Sequence, residues 1–96
     1  MGLGLRGGRA YDEAGMVFGY PSEVEVDVTI SDEKLILIEV LSHVRASDVL
    51  QFRRKAELYE KKTGRSPDRL IIVTPYIDEK ALEAAKQLGV EAYTKV

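Results

Sequence analysis

Asp27 and Glu39 are the two side chains whose surroundings ask for a chemical explanation. Asp27 lies in the run Glu23-Val24-Glu25-Val26-Asp27-Val28-Thr29-Ile30, and Glu39 lies in Lys34-Leu35-Ile36-Leu37-Ile38-Glu39-Val40-Leu41. Both runs read as strands. Side chains alternate across a strand with period two, so Val24, Val26, Val28 and Ile30 share one face and Asp27 points to the other, with Glu23 and Glu25. The second run is apolar on both faces, the pattern of a fully buried strand, except at Glu39. A carboxylate in that setting costs free energy unless it is paired with a cation or bound to a metal. The available cations for an ion pair are His43, Arg45 or a lysine on the helix that follows.

Other residues carry weaker signals. His43 sits just past the second strand, where it would act as a base or ligand or serve structure alone. Tyr11, Tyr20, Tyr59, Tyr76 and Tyr93 form no pattern of a stacking platform and read as edges of the core. Gly2-Leu3-Gly4-Leu5-Arg6-Gly7 matches a dinucleotide fingerprint literally, but that motif needs a strand before it and a helix after it, and Gly7-Gly8 follows instead. The chain has no cysteine, which excludes disulfides and thiolate metal sites.

Net charge is −2 over 96 residues, which argues against a dedicated nucleic-acid binder. Its distribution is uneven. Arg45 to Arg69 holds eight basic and four acidic residues, against six and twelve in the remainder. A basic helix beside an acidic strand pair would suit phosphates held near metal ions, and it would equally suit a solvated helix face. No apolar run is longer than Leu35 to Ile38, which is too short to cross a bilayer, and residues 1–10 lack the apolar segment of a secretory signal. The expected location is cytoplasmic.

The elements that must position these residues follow from pattern and punctuation. Residues 1–10 are glycine-rich and are expected to be a flexible leader, with one domain over 11–96. A short strand is expected at Gly15 to Phe18. Gly19-Tyr20-Pro21-Ser22 and Ser31-Asp32-Glu33 are turns, so the first three strands form an antiparallel meander. A helix is predicted from Ser47 or Asp48 to Lys62, capped by Ser47 and ended at Gly64, with Val49, Phe52, Ala56 and Tyr59 as its core stripe. Leu70 to Thr74 is a buried strand. Asp78 caps a second helix to Leu88, with Ala81, Leu82, Ala85 and Leu88 inward, and Val90 to Thr94 forms a last strand. Crossovers of this kind favour parallel neighbours. The fold class is α/β bordering on α+β: a mixed sheet in which an antiparallel meander leads into helix-strand-helix-strand.

Two acid-bearing strands followed by a helix with Gln51 and a basic cluster resemble the PD-(D/E)XK nuclease superfamily, and within it an uncharacterised, largely archaeal family of nuclease-like proteins. The likeness is carried by Gly19-Tyr20-Pro21-Ser22-Glu23-Val24-Glu25-Val26-Asp27, Ile38-Glu39-Val40-Leu41-Ser42, Arg54-Lys55-Ala56-Glu57-Leu58-Tyr59-Glu60 and Pro67-Asp68-Arg69-Leu70-Ile71. It implies a restriction-endonuclease-like fold, with Asp27 and Glu39 as catalytic carboxylates ligating Mg²⁺ or Mn²⁺ and Gln51 nearby. Such hard cations favour oxygen ligands and can turn bound water into a nucleophile. Arg45, Arg53, Arg54 and Lys55 would meet nucleic acid.

The sequence departs from that family in two places. Leu41 stands where the lysine belongs, and it has no charge, donor or titratable proton. Arg54 or Lys55 are the basic residues that a relocated function would use. The usual first helix is also not expected in residues 1–10, since ten residues with four glycines do not build one. The expectation is therefore a nuclease-like domain with an incomplete catalytic set, inactive or weakly active on DNA. The alternatives are an active Mg²⁺-dependent endonuclease with a relocated basic residue and a non-enzymatic oligomerisation module. An uncovered sheet further predicts a homodimer or domain-swapped assembly.

Overall fold

The turn Asp32-Glu33 sets the register of the hairpin at the centre of the sheet. Both residues adopt positive φ, 51° and 65°, as a two-residue hairpin turn of the kind that matches strand twist requires. That turn pairs Ser31 with Lys34 and carries the ladder to Asp27 opposite Ile38. The computed structural model describes residues 4–94, with side chains from Gly8 onward. Five strands and two helices follow one another: β1 (Gly4–Asp12), β2 (Ser22–Ser31), β3 (Lys34–Val40), α1 (Ala46–Thr63), β4 (Arg69–Val73), α2 (Glu79–Leu88) and β5 (Glu91–Tyr93). They build a single mixed sheet in the order β1-β2-β3-β4-β5. The first three strands are antiparallel and the last three parallel.

Register decides which face is covered. Val28 pairs with Leu37 and Leu37 with Leu70, so these side chains share a face. They join Phe52, Ala56 and Val49 of α1 and Ala81 and Ala85 of α2 in one core. Fully burying a side chain such as Phe52 is worth roughly 1.5–3 kcal/mol. Both helices thus pack on the same side. The other side carries Ile36, Ile38 and Val40 beside Ile71, Val73 and Tyr93, none of which belongs to that core. No helix among the described residues is long and apolar enough to cross a membrane.

Three local expectations need correction. Residues 4–10, expected to be a flexible leader, form most of β1, while residues 1–3 of that stretch lie outside the described residues. The glycines there reflect a close approach as well as freedom: a Cβ on Gly8 would come within 3.1 Å of Val28 Cγ2 and 3.2 Å of the Val26 carbonyl oxygen.

Gly15 to Phe18, expected to be a strand, is a turn. Asp12 organises it, accepting the N–H groups of Met16 at 3.0 Å and Val17 at 2.9 Å. Burial works to raise the Asp12 carboxyl's pKa, but these backbone donors and Gly15 hold it below the ordinary value. Gly15 has φ +68°, and a Cβ there would meet the Tyr20 nitrogen at 2.8 Å. Val17 is buried in a second small core with Val24 and Leu58, which accounts for its apolar character without a strand.

Finally, α1 begins at Ala46 instead of Ser47 or Asp48. Ser47 does not cap it; the Asp48 carboxylate reaches back to accept the Arg45 N–H at 2.9 Å. The other ends are as expected, with Gly64 and Gly89 closing the helices in left-handed conformations and Asp78 accepting the Ala81 N–H at 2.9 Å.

Candidate nucleic-acid cleft

The β2–β3 ladder stops at Asp27 opposite Ile38, while β2 continues back to Ser22 with β1 as its partner. The two strands part at this point. A cavity of about 290 Å³ opens there, lined by Glu25, Val26, Asp27, Ile38, Glu39, Val40 and Lys55. The fold therefore brings both predicted acids and one predicted base to one opening.

Their directions differ. Asp27 is exposed and alternates with the buried Val26 and Val28, so it stands on the helix-free face. Glu39 follows the parity of Leu35 and Leu37 and turns toward α1. There Lys55 meets it: Lys55 Nζ donates to Glu39 Oε2 at 2.9 Å and to Oε1 at 3.1 Å. The pair is largely withdrawn from water, with side-chain exposures of 13% and 18%. This is the partner that a carboxylate in an apolar strand requires. Leu41, at the lysine position, packs against the main core instead of facing the opening.

The remaining predicted site residues scatter. Gln51 is half-buried on α1, one turn before Lys55 and on its stripe, but it does not line the cavity. Arg45 is exposed at the start of α1, and Arg54 is exposed further along it. Arg53 pairs with Glu57 at 3.8 Å and lines a different hollow with Asp68, Arg69 and Leu88. Of the four basic residues singled out, Lys55 alone reaches the cleft.

The donor chemistry bears on any divalent ion. Two carboxylates offer hard oxygen ligands of the right kind, yet one has both oxygens engaged by an ammonium and the other stands on the opposite face. Among the described residues no group of three or more His, Asp and Glu side chains is placed to hold a metal ion. The residues as arranged do not fit a shared ion.

Sequence reasoning missed the aromatic rim. Tyr11, Tyr20, Tyr76 and Tyr93, read as core edges, are 54%, 61%, 58% and 47% exposed. The signal was available in their positions, because each stands in a turn or at the end of a strand run rather than within an apolar pattern.

A mixed five-stranded sheet with helices on one face, and with acids where the antiparallel part gives way to the parallel part, defines a nuclease-like α+β domain. The model of the PD-(D/E)XK nuclease superfamily matches residues 22–91, and the chain belongs to that superfamily. The same fold is found in the solved structure of EndoMS in its apo form, with a TM-score of 0.64 and 16% identity over 77% of this chain. The chain spans 33% of the length of that protein. No curated protein matches the chain.

Proposed function

We propose that this chain is a nuclease-derived domain that engages a nucleic-acid backbone at the β2–β3 opening, with phosphodiesterase activity weak or absent. The observation that carries the reading is the Glu39–Lys55 ion pair beside the core-packed Leu41. The superfamily generally uses divalent metals, and here the second acid is already neutralised by a protein cation. An ion seeking Glu39 must displace Lys55, and it must also draw in Asp27 from the other face. Leu41 offers nothing to a developing charge.

The Lys55 ammonium also favours a second reading, an active endonuclease using Mg²⁺ or Mn²⁺ in which Lys55 supplies the cation that Leu41 lacks. Labelled single-stranded, branched and duplex DNA incubated with Mg²⁺ or Mn²⁺ separates the two. Binding with little or no cutting is expected. Robust cutting abolished by both Asp27→Asn and Lys55→Met would replace the first reading with the second.

The helix-free face supports a further part of the proposal, association with a second copy. Val40 is 66% exposed there beside Val73 and Ile71, and such patches mark contact surfaces. Light scattering is expected to show a dimer that Val40→Lys dissociates. A monomer at tens of micromolar would remove this part alone.

A further inference from the structure

The exposed aromatic side chains gather at one end of the sheet. By strand direction that end holds the last residues of β1, β3, β4 and β5 and the first of β2. Tyr11 and Tyr93 stand at strand ends there, and Phe18, Tyr20, His43 and Tyr76 stand in its loops. Among the described residues, the turns of the opposite end at 32–33, 64–68 and 89–90 hold no aromatic residue. Val40, where β3 finishes at the aromatic end, is among the residues that line the cleft.

The rings are also grouped. Phe18 and Tyr20 stack with centroids 6.1 Å apart and planes at 26°. His43 and Tyr76 meet edge to face at 4.7 Å and 71°. The first pair lies in the loop entering β2, on one side of the opening; the second lies in the loops leaving β3 and β4, on the other. Tyr93 is set apart, since its hydroxyl donates to Glu91 at 2.8 Å.

Resting on the nucleic-acid reading above, we infer that these two aromatic pairs form a stacking platform for unpaired bases, so that the strand presented to the cleft is single-stranded. Electrostatics alone gives this chain little hold on nucleic acid. Net charge is −2, the cleft lysine is paired with Glu39, and Glu25 and Asp27 line the opening. Counterion release by Arg45 therefore supplies only a small part of the affinity. Base–aromatic stacking needs no net charge and tolerates any sequence. It does need free base faces, which a continuous duplex hides. Tyr20 and Tyr76 leave more than half their surface in water, and neither belongs to either core cluster, so folding gives no account of them.

The test is fluorescence anisotropy in EDTA, which prevents cutting, with three DNA probes of equal length: a single strand, its duplex, and a single strand carrying consecutive abasic sites. The intact single strand is expected to bind about tenfold or more tighter than either other probe. Tyr20→Ala and Tyr76→Ala should each weaken it by roughly tenfold, while Tyr20→Phe and Tyr76→Phe retain binding. The salt dependence should be shallow and unchanged by the tyrosine substitutions, and should fall further in Arg45→Ala. Equal binding of the abasic strand, or no effect of the alanine variants, overturns the inference. If the duplex binds as well as the single strand, the inference falls while the nucleic-acid reading stands. If no probe binds, both fall.

Discussion

The two ends of this sheet differ in what they leave in water. At the end holding the turns 32–33, 64–68 and 89–90, charged side chains are tied down. Arg65 donates to the Glu33 carbonyl oxygen at 2.9 Å, the Asp68 carboxylate accepts the Leu35 N–H at 2.7 Å, and Arg69 forks onto Glu91 at 2.6 and 2.8 Å. At the other end Asp12 and the Lys62–Glu13 pair are held as well, but tyrosines are left in water beside the cleft that holds the Glu39–Lys55 pair. The first end spends its polar groups on fixing strand register. The second carries, in addition, exposed tyrosines that belong to neither core. The contrast sets a tied end apart from a partly open one in a chain with one main core and one small one.

The comparison is broken most severely at the tied end. Asp68→Ala leaves the N–H of the buried Leu35 without its partner, and chemical denaturation should show a loss of about 1–3 kcal/mol. The Asp32-Glu33 turn offers the converse. Glu33 holds a left-handed conformation at φ 65°, which costs a residue with a Cβ roughly 1–2 kcal/mol. Glu33→Gly should therefore raise the midpoint of denaturation, with a gain of about 1 kcal/mol. At the open end, Tyr20→Ala and Tyr76→Ala should change stability by less than about 0.5 kcal/mol while lowering single-strand affinity.

The smallest effect comes from acid. The Arg69 guanidinium bonded to Glu91 holds that carboxyl down from its ordinary 4.5 to about 2, although partial burial pushes the other way, and the Tyr93 hydroxyl adds to the shift. A depressed folded-state pKa stabilises above the unfolded value and loses that stabilisation as pH falls through the folded one. Wild type should therefore melt higher than Glu91→Gln near neutrality, and the gap should close between pH 4.5 and 2. Solvent reaches both partners, whose side chains are 42% and 38% exposed, so the gap will be small.

Much of this architecture is legible in the residue pattern, for identifiable reasons. The alternation in β2 and the glycine helix ends each have one physical solution, and the structure adopts them; β3, expected to be fully buried, is buried at Leu35, Ile36 and Leu37 but open at its end, where Val40 is 66% exposed. The α1 stripe was read less completely: Leu58 serves the second core, and its partners Val17 and Val24 are distant in sequence. The glycines of β1 misled because composition cannot distinguish freedom from a close approach such as that of Gly8 to Val28. At the cleft, residue types announced that Glu39 needed a partner, but not which. Lys55 lies 16 residues away, and only the crossing of α1 under the strands selects it over Arg54. The opposed directions of Asp27 and Glu39 follow from a register that the two-residue turn fixes.

The claim beneath the functional account is that Glu39 belongs to Lys55 rather than to an ion shared with Asp27. Anomalous diffraction from crystals soaked in Mn²⁺ tests it directly. The account predicts no manganese peak bridging the two carboxylates and a Lys55–Glu39 contact that persists near 2.9 Å. A peak at roughly 2.0–2.2 Å from an oxygen of each, with Lys55 displaced, would contradict it.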